Sequence, residues 1–136
     1  MAETLRFELV SPERLLLSEA AEMVVVPGVE GNFAAMPRHA PFLSLLRPGV
    51  LDVYEGRRVT QRYFVAGGYA EVTPERLTVL ADEALRLGEI DASAVSETLK
   101  ELGEDLEDAK DEAERARIRV RIAVAEAKLK AAAATS

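Results

Sequence analysis

The sequence predicts an all-β sandwich of eight to ten short antiparallel strands, followed by a C-terminal antiparallel α-helical hairpin. Apolar residues recur with period two before Gly88 and with helical spacing after it. All seven aromatic residues and all six prolines lie at or before Gly88, whereas every lysine lies after it. This change of composition predicts two domains, a β-sandwich at residues 1–88 and a helical hairpin at residues 89–136.

Alternation of apolar and polar residues predicts the strands. In TLRFELV, the apolar residues Leu5, Phe7 and Leu9 share one face of an extended segment, and YAEVT and ERLTVLA alternate in the same way. Turn residues recur at short intervals, as in VSPE, YEGR and VTPE. This spacing is typical of an antiparallel sandwich or barrel.

A stripe of apolar residues at steps of four and three predicts the first helix, with Asp91 as its N-cap. The stripe consists of Val95, Leu99, Leu102, Leu106 and Ala109. The second segment contains RIRVRIAV, which alternates like a strand, but its flanks EAERA and AEAKLKAAAA are strong helix formers and favour a helix.

Opposite charges predict that the two helices fold back on each other. Residues 89–112 hold ten acids and two lysines, whereas residues 113–136 hold two acids and six bases. An antiparallel pair would set these charges side by side. The second helix is mostly Ala, Val and Ile, so docked and undocked states would differ by only about a few kcal/mol. We therefore hypothesise that the hairpin is a conformational switch.

Composition excludes several functional classes. The protein has no cysteine, which removes disulfides, thiolate catalysis and the usual structural zinc sites. Its net charge of -7 and pI near 4.8 argue against nucleic acid and anionic lipid as partners and favour a protein. No window has the length and apolar character of a membrane span, and the start lacks a secretory pattern, so we expect a cytoplasmic protein.

The remaining polar residues do not form a recognisable catalytic or metal site. There is no phosphate-binding loop, and Gly67-Gly68 is interpreted as a strand bend rather than a dinucleotide fingerprint. Asp82 and Glu83 would point to opposite sides of a strand. The acids of the first helix, Glu104, Asp105, Glu107 and Asp108, lack calcium-loop spacing and are interpreted as solvated. We therefore expect no enzyme, no cofactor and no metal.

His39, the only histidine, lies in VPGVEGNFAAMPRHAP between Pro37 and Pro41. It has no second histidine or cysteine to share a metal with. The two prolines restrict the backbone around it, and an imidazole there can hydrogen-bond a loop carbonyl while its ring packs. The stretch is therefore interpreted as shaped for structure rather than chemistry.

The motifs of this region resemble a known family. VPGVEGNFAAMPRHAPFLSLLRPGVLDV and YFVAGGYAEVTPERLTVLADEA closely resemble the epsilon subunit of bacterial rotary proton-translocating ATP synthases, whose pattern runs V-P-G-x-x-G-x-F-G-x-L-P-x-H-A-P, L-x-P-G, G-G-F-x-E-V and V-T-V-L-A-D. The resemblance covers nearly the whole sequence and implies a ten-stranded sandwich with a helical hairpin. Ala34 departs from the pattern, which usually has glycine there.

The resemblance implies a non-catalytic rotor subunit of the central stalk. Such a subunit joins the gamma subunit to the ring of c subunits, and so couples proton flow to ATP synthesis. The segment that would face the c ring comprises Gly28, Val29, Glu30, Gly31, Asn32 and Phe33. Glu30 and Asn32 are equal candidates for the polar contact with the c ring. His39 would lie near gamma or act structurally.

The resemblance also implies a role for the hairpin. In the family it can rise along gamma towards the catalytic alpha and beta subunits and brake ATP hydrolysis. The candidate regulatory bases are Arg115, Arg117, Arg119 and Arg121. From the residues alone, these bases either pair with the acidic helix or form a surface for an acidic protein segment.

Some family members bind ATP through I/L-D-x-x-R-A at the start of the first helix. This sequence reads Ile90-Asp91-Ala92-Ser93-Ala94, with alanine at the arginine position. We therefore expect weak or absent ATP binding. The alternative function is a nucleotide-sensing regulatory protein in which the hairpin is the active element. The implied location is the cytoplasmic side of the bacterial inner membrane, peripheral and attached only through the complex.

Overall fold

The computed structural model describes residues 3–134, which form ten strands, one short 3-10 turn and two helices. The strands are β1 (Leu5–Ser11), β2 (Arg14–Ala21), β3 (Met23–Gly28), β4 (Gly31–Ala35), β5 (Phe42–Leu45), β6 (Gly49–Glu55), β7 (Arg58–Ala66), β8 (Tyr69–Val72), β9 (Arg76–Leu80) and β10 (Glu83–Arg86). The turn covers Leu87–Glu89, and the helices are α1 (Ala92–Asp108) and α2 (Glu112–Ala133). The protein divides into two compact units between Arg86 and Leu87, two residues before the predicted boundary.

The first unit is a sandwich of two five-stranded sheets. The first sheet, sheet A, has the order β2-β1-β9-β8-β5, and the second, sheet B, has the order β10-β7-β6-β3-β4. The predicted sandwich of short strands is confirmed. One pair departs from the antiparallel expectation, because β1 and β9 run parallel. Alternation along a single strand reports which face is buried but not the direction of its neighbour, so the sequence could not reveal this pair.

The core lies between the sheets and is built from the alternating residues. Leu5, Phe7 and Leu9 of β1 are fully buried, as their period-two spacing predicts. They pack with residues of the other strands, including Val24, Val26, Leu51, Val53, Val65, Val72, Leu77 and Val79. No polar or charged residue of the described segment 3–134 is buried. Apolar packing therefore holds the sandwich together.

Gly67 and Gly68 form the corner at which the backbone leaves sheet B and enters sheet A. Their φ angles are 71° and 87°, a conformation that residues with a Cβ rarely adopt. The predicted bend is confirmed. The carbonyl of Gly68 accepts the backbone N–H of Leu46 at 3.0 Å, which secures the corner to the residue just after β5. A Cβ at Gly68 would overlap the carbonyl oxygen of Leu80.

The second unit is the helical hairpin. Its predicted apolar stripe is confirmed: Val95, Leu99, Leu106 and Ala109 pack on a small core of Leu102, Ile118 and Ala125. The segment RIRVRIAV is helical, as its flanks indicate. No helix within residues 3–134 is long and apolar enough to cross a membrane.

Aspartates begin both helices of the hairpin. The Asp91 carboxylate accepts the N–H of Ala94 at 3.1 Å, and the Asp111 carboxylate accepts the N–H of Glu114 at 2.8 Å. Glu114 reciprocates by accepting the N–H of Lys110 at 3.1 Å. These bonds satisfy backbone donors that a helix start leaves unpaired, and they confirm the predicted N-cap at Asp91.

Gly68→Ala should destabilise the sandwich far more than Gly56→Ala. Gly56 has a φ of 63° in the β6–β7 turn, and a Cβ there would meet nothing within 4 Å. The Gly56 change should therefore cost only the left-handed conformation, about 1–2 kcal/mol. The Gly68 change adds overlap with a backbone carbonyl and should cost at least about 3 kcal/mol. Urea unfolding of the two variants measures the difference, and equal midpoints would contradict it.

Candidate partner-binding surfaces

A two-residue turn forms an exposed tip where β3 meets β4. The residues Val29 and Glu30 lie between the paired Gly28 and Gly31. Val29 is 53% exposed, Glu30 is exposed, and Gly31 has a φ of 134°. Within the described residues 3–134, the Glu30 carboxylate makes no hydrogen bond and no ion pair. The tip therefore offers an apolar side chain and an unpaired negative charge.

The six residues predicted to face the c ring do not share one environment. Gly28 is buried, and Phe33 is half-buried with its ring edge-to-face against Phe42, 5.1 Å between centroids. The side-chain oxygen of Asn32 accepts a hydrogen bond from Arg47 Nη2 at 2.6 Å. Val29 and Glu30 are therefore the exposed residues of this segment whose side chains are not already engaged, and Gly31 is exposed without a side chain.

Sequence reasoning missed Arg47. Its Nη1 donates to the carbonyl of Gly28 at 2.5 Å, so its guanidinium contacts both strands that carry the tip. The one feature of the sequence that could have indicated it is that Arg47 is the single charged residue in the stretch LSLLRPGV. Its bonds depend on two residues that precede it by 15 and 19 positions, which only the fold brings near.

An apolar patch, here called the β5 patch, lies on the outer face of sheet A. It consists of Leu43, Leu45 and Tyr69, which are 64%, 63% and 39% exposed. Leu45 and Tyr69 are directly opposite each other on β5 and β8. Exposed apolar patches of this kind are characteristic of interaction sites. Sequence reasoning missed the patch, because only the sheet order shows that β5 is an edge strand.

The β5 patch and the tip adjoin each other. The N–H of Val29 donates to the carbonyl of Leu45 at 2.9 Å, and Gly28 forms an isolated bridge with Leu46. The same end of the sandwich therefore presents a charged tip and an apolar surface side by side.

His39 is held by its own loop near Phe42, whose side chain is on the opposite face of β5 from Leu43 and Leu45. Its Nδ1 donates to the carbonyl of Ala40 at 2.6 Å, and its half-buried ring lies 6.4 Å from that of Phe42. Arg38 has a φ of 69°, and its N–H donates to the carbonyl of Pro74 at 2.8 Å. The carbonyl bond and the packed ring match the structural interpretation of this histidine.

Arg115 is a structural residue of the hairpin. Its Nη1 donates to the carbonyl of Ala109, the C-terminal cap of α1, at 3.2 Å, and its Nε donates to Glu112 at 2.7 Å. Arg119 lies 3.8 Å from the other oxygen of Glu112. The hydrogen bond and charge of Arg115, with a smaller contribution from Arg119, lower the pKa of Glu112.

The two helices pack against each other, and the sequence left open whether the four arginines pair with the acidic helix or form a surface for an acidic segment. Among residues 3–134, no ion pair joins an α1 carboxylate to any of the four arginines. Arg117 and Arg121 instead line a groove of about 420 Å³ with Asp105, Asp108 and others. Helix residues two apart point to nearly opposite sides, so bases at alternate positions cannot all meet one acidic flank.

The segment that corresponds to the I/L-D-x-x-R-A motif lies at the start of α1: Ile90 and Asp91 precede the helix, and Ala94 is in its first turn. Ile90 is half-buried, while Asp91 and Ala94 are exposed. The Asp91 carboxylate is occupied by the N–H of Ala94. Ala94 offers only a methyl group where a guanidinium would be needed for a phosphate.

Both units match described protein families. Residues 4–87 match the family of the ATP synthase Delta/Epsilon beta-sandwich domain, and residues 91–136 match the family of the C-terminal domain of the ATP synthase epsilon chain. A protein of Rhodospirillum rubrum named ATP synthase epsilon chain is 60% identical over 116 residues, which cover 85% of this sequence and 87% of that protein. A protein of the same name from Paramagnetospirillum magneticum is 50% identical with the same coverage.

Solved structures share the fold. A subunit in the Euglena gracilis mitochondrial ATP synthase, seen in its OSCP/F1/c-ring assembly in rotational state 1, has a TM-score of 0.79 and 26% identity. That alignment covers 96% of this protein and 81% of the other. A subunit in the central stalk and c-ring part of the Tetrahymena thermophila mitochondrial enzyme has a TM-score of 0.72 at 15% identity, covering 96% and 97%. The second likeness concerns the fold alone.

Arg115→Ala should raise the pKa of Glu112, because it removes the hydrogen bond and the nearest positive charge. Arg119→Ala should raise the pKa less, because Arg119 is the weakest of the causes that lower it. A carboxyl pKa lowered by folding adds stability above the unfolded pKa, and that stability is lost as the pH falls through the folded pKa. An NMR titration of the Glu112 carboxyl measures the shift; a larger rise in Arg119→Ala would contradict the ranking.

Proposed function

Because this protein belongs to the ATP synthase epsilon-chain family, we propose that it is a non-catalytic rotor subunit of the central stalk. It joins the gamma subunit to the ring of c subunits and transmits rotation between the proton pathway and the catalytic head. Its place is peripheral, on the cytoplasmic side of the bacterial inner membrane, and it is held there only through the complex.

The observation that carries this proposal is the adjoining pair of surfaces at one end of the sandwich. An adaptor between two partners needs two different surfaces on a rigid body. The β5 patch is apolar, the tip is charged, and a backbone bond from Val29 to Leu45 connects them. Both surfaces are displayed by sheets with a fully apolar core, so force on one is transmitted through packed structure rather than through a loose loop.

The β5 patch suits the gamma subunit. Leu43 and Leu45 are both more than half exposed, and burying each leucine against a partner would contribute about 1.5–3 kcal/mol. His39 lies near Phe42, the residue that precedes Leu43 on β5. This assigns gamma binding to Leu43, Leu45 and Tyr69, with His39 as a structural neighbour.

The tip suits the c ring. Asn32 and Glu30 were equal candidates from the sequence. The structure favours Glu30, because the Asn32 side chain already accepts a bond from Arg47 and the Glu30 carboxylate has no partner within residues 3–134. A free carboxylate on a two-residue turn can accept hydrogen bonds from polar loops without first losing an internal bond.

Braking of ATP hydrolysis by the hairpin is a second candidate function. Arg117 and Arg121 support it, since both are exposed and neither makes an ion pair within residues 3–134. Their charges remain available to an acidic segment of the alpha or beta subunits. Arg115 contributes differently, because its bond to the carbonyl of Ala109 ties the start of α2 to the end of α1, whereas its bond to Glu112 lies within α2.

Reconstitution tests the rotor role. The protein has no cysteine, so Val29→Cys places a single thiol at the tip. We expect this variant to co-elute with gamma when added to an ATP synthase stripped of its own epsilon subunit, and to crosslink to a cysteine in the c loop. Leu15→Cys is the matched control, because Leu15 is 56% exposed on β2 at the opposite edge of sheet A. Equal crosslinking from both positions would contradict the placement of the tip.

The same complex tests the gamma surface. Leu43→Asp should weaken gamma binding by at least about tenfold, since it replaces a buried apolar contact by a charge. Leu15→Asp makes the same change at a similarly exposed leucine and should leave binding unchanged. Failure of the parent protein to bind gamma at all would reject the rotor role and favour the nucleotide-sensing alternative.

Calorimetry should detect weak or no ATP binding. The missing arginine removes a charge-assisted contact worth about 1.5–3 kcal/mol, a factor of tens to about a hundred in affinity. Ala94→Arg restores the motif and should tighten binding relative to the parent protein. A micromolar dissociation constant for the parent would refute this expectation and would support a nucleotide-sensing hairpin.

A further inference from the structure

We propose that Arg47 is the positioning residue of the β3–β4 tip: its guanidinium clamps the two strands beneath the tip and so presents Val29 and Glu30 in one fixed orientation. This inference deepens the proposed c-ring contact and rests on it for its functional meaning. The clamp itself is a property of the isolated protein and can be tested without any partner.

The geometry of the clamp spans the base of the turn. Nη1 of Arg47 donates to the carbonyl of Gly28 on β3 at 2.5 Å, and Nη2 donates to the side-chain oxygen of Asn32 on β4 at 2.6 Å. The backbone N–H of Arg47 adds a third bond, to the carbonyl of Pro27 at 3.0 Å. One residue thus holds three positions on the two strands that carry the tip.

The chemistry of the clamp requires arginine. A guanidinium is a planar fork with fixed donors, so two acceptors on different strands are held at a defined separation. Lysine carries one compact ammonium on a flexible stem and would not fix both acceptors in the same way. Asn32 is a suitable acceptor because its amide oxygen accepts the bond without adding a second negative charge beside Glu30.

Close packing around Gly28 also restricts the backbone of the tip. A Cβ at Gly28 would lie 2.8 Å from the hydroxyl oxygen of Ser44 and 2.9 Å from the carbonyl oxygen of Gly31. The bond from Val29 to Leu45 holds the tip against β5. The Arg47 side chain adds to this packing a bond to each of the two strands. Both restraints together leave the backbone of the tip little freedom.

A restrained tip has a consequence for binding. Ordering a loop on contact with a partner costs free energy, and a pre-ordered loop avoids that cost. Removal of the clamp should therefore weaken or slow contact at the tip while leaving the sandwich and the β5 patch in place.

The experiment compares Arg47→Ala and Arg47→Lys with the control Arg62→Ala. Arg62 also donates to a residue on a neighbouring strand, the carboxylate of Asp52 at 2.8 Å, but it lies on β7 and does not contact the tip. In the isolated protein, amide exchange of Gly31, which pairs with Gly28 across the turn, should rise by about tenfold or more in Arg47→Ala, as expected for loss of a charge-assisted bond. Arg47→Lys should also raise it. Arg62→Ala should leave it unchanged.

In the reconstituted complex, Val29→Cys reports the position of the tip. Adding Arg47→Ala should slow its crosslink to the c loop by a similar factor, with co-elution with gamma retained. Adding Arg62→Ala should not slow it. If Arg47→Ala shifts the urea midpoint more than Arg62→Ala does, Asn32→Ala is used in its place, because it removes only one acceptor of the clamp. It should raise tip exchange by a smaller factor.

The possible failures are distinguishable. If tip exchange is unchanged in both Arg47→Ala and Asn32→Ala, the clamp is refuted whatever the crosslink shows. If exchange rises but the crosslink forms equally fast, the positioning role is overturned. If the parent Val29→Cys protein gives no crosslink, the c-ring contact of the proposed function fails, and the exchange data alone then decide whether Arg47 clamps the turn.

Discussion

Apolar contact between the two five-stranded sheets is the constraint on which the rest of this structure depends. Within residues 3–134 the core holds no polar or charged residue, so each inward-facing position must be apolar and each polar position must face outward or lie at an edge. Leu5, Phe7 and Leu9 show this in β1. A leucine that faces outward is an exception to this pattern, because it does not contribute to the packing of the core.

The exposed groups follow from how the sandwich closes. β5 is an edge strand of sheet A, so Leu43 and Leu45 lack a neighbouring strand on one side and face outward with Tyr69. The backbone passes between the sheets at Gly67 and Gly68, where a Cβ on Gly68 would collide with the backbone of β9. Closure places the edge strand against the β3–β4 turn, and this juxtaposition produces two dissimilar surfaces at one end.

The helical hairpin depends on a different balance. Its core is small, with Leu102, Ile118 and Ala125 as the buried residues of its central cluster. Polar bonds at the turn between the helices add to this core: Arg115 of α2 donates to the carbonyl of Ala109 at the end of α1. Exposed charge pairs contribute little stability individually and are screened by salt. The hairpin therefore rests on fewer buried residues than the sandwich.

The sequence by itself determined the sandwich, the hairpin, the N-cap at Asp91 and the bend at Gly67, because period, capping and turn preferences are local properties of neighbouring residues. Only the tertiary structure decided that β1 and β9 run parallel, that β5 lies at an edge, and that Arg47 reaches Asn32. These features join positions far apart in the sequence, and no local preference specifies which distant residues meet. Glu30 and Asn32 were equivalent in the sequence for the same reason: the bond that distinguishes them comes from a residue beyond the next strand.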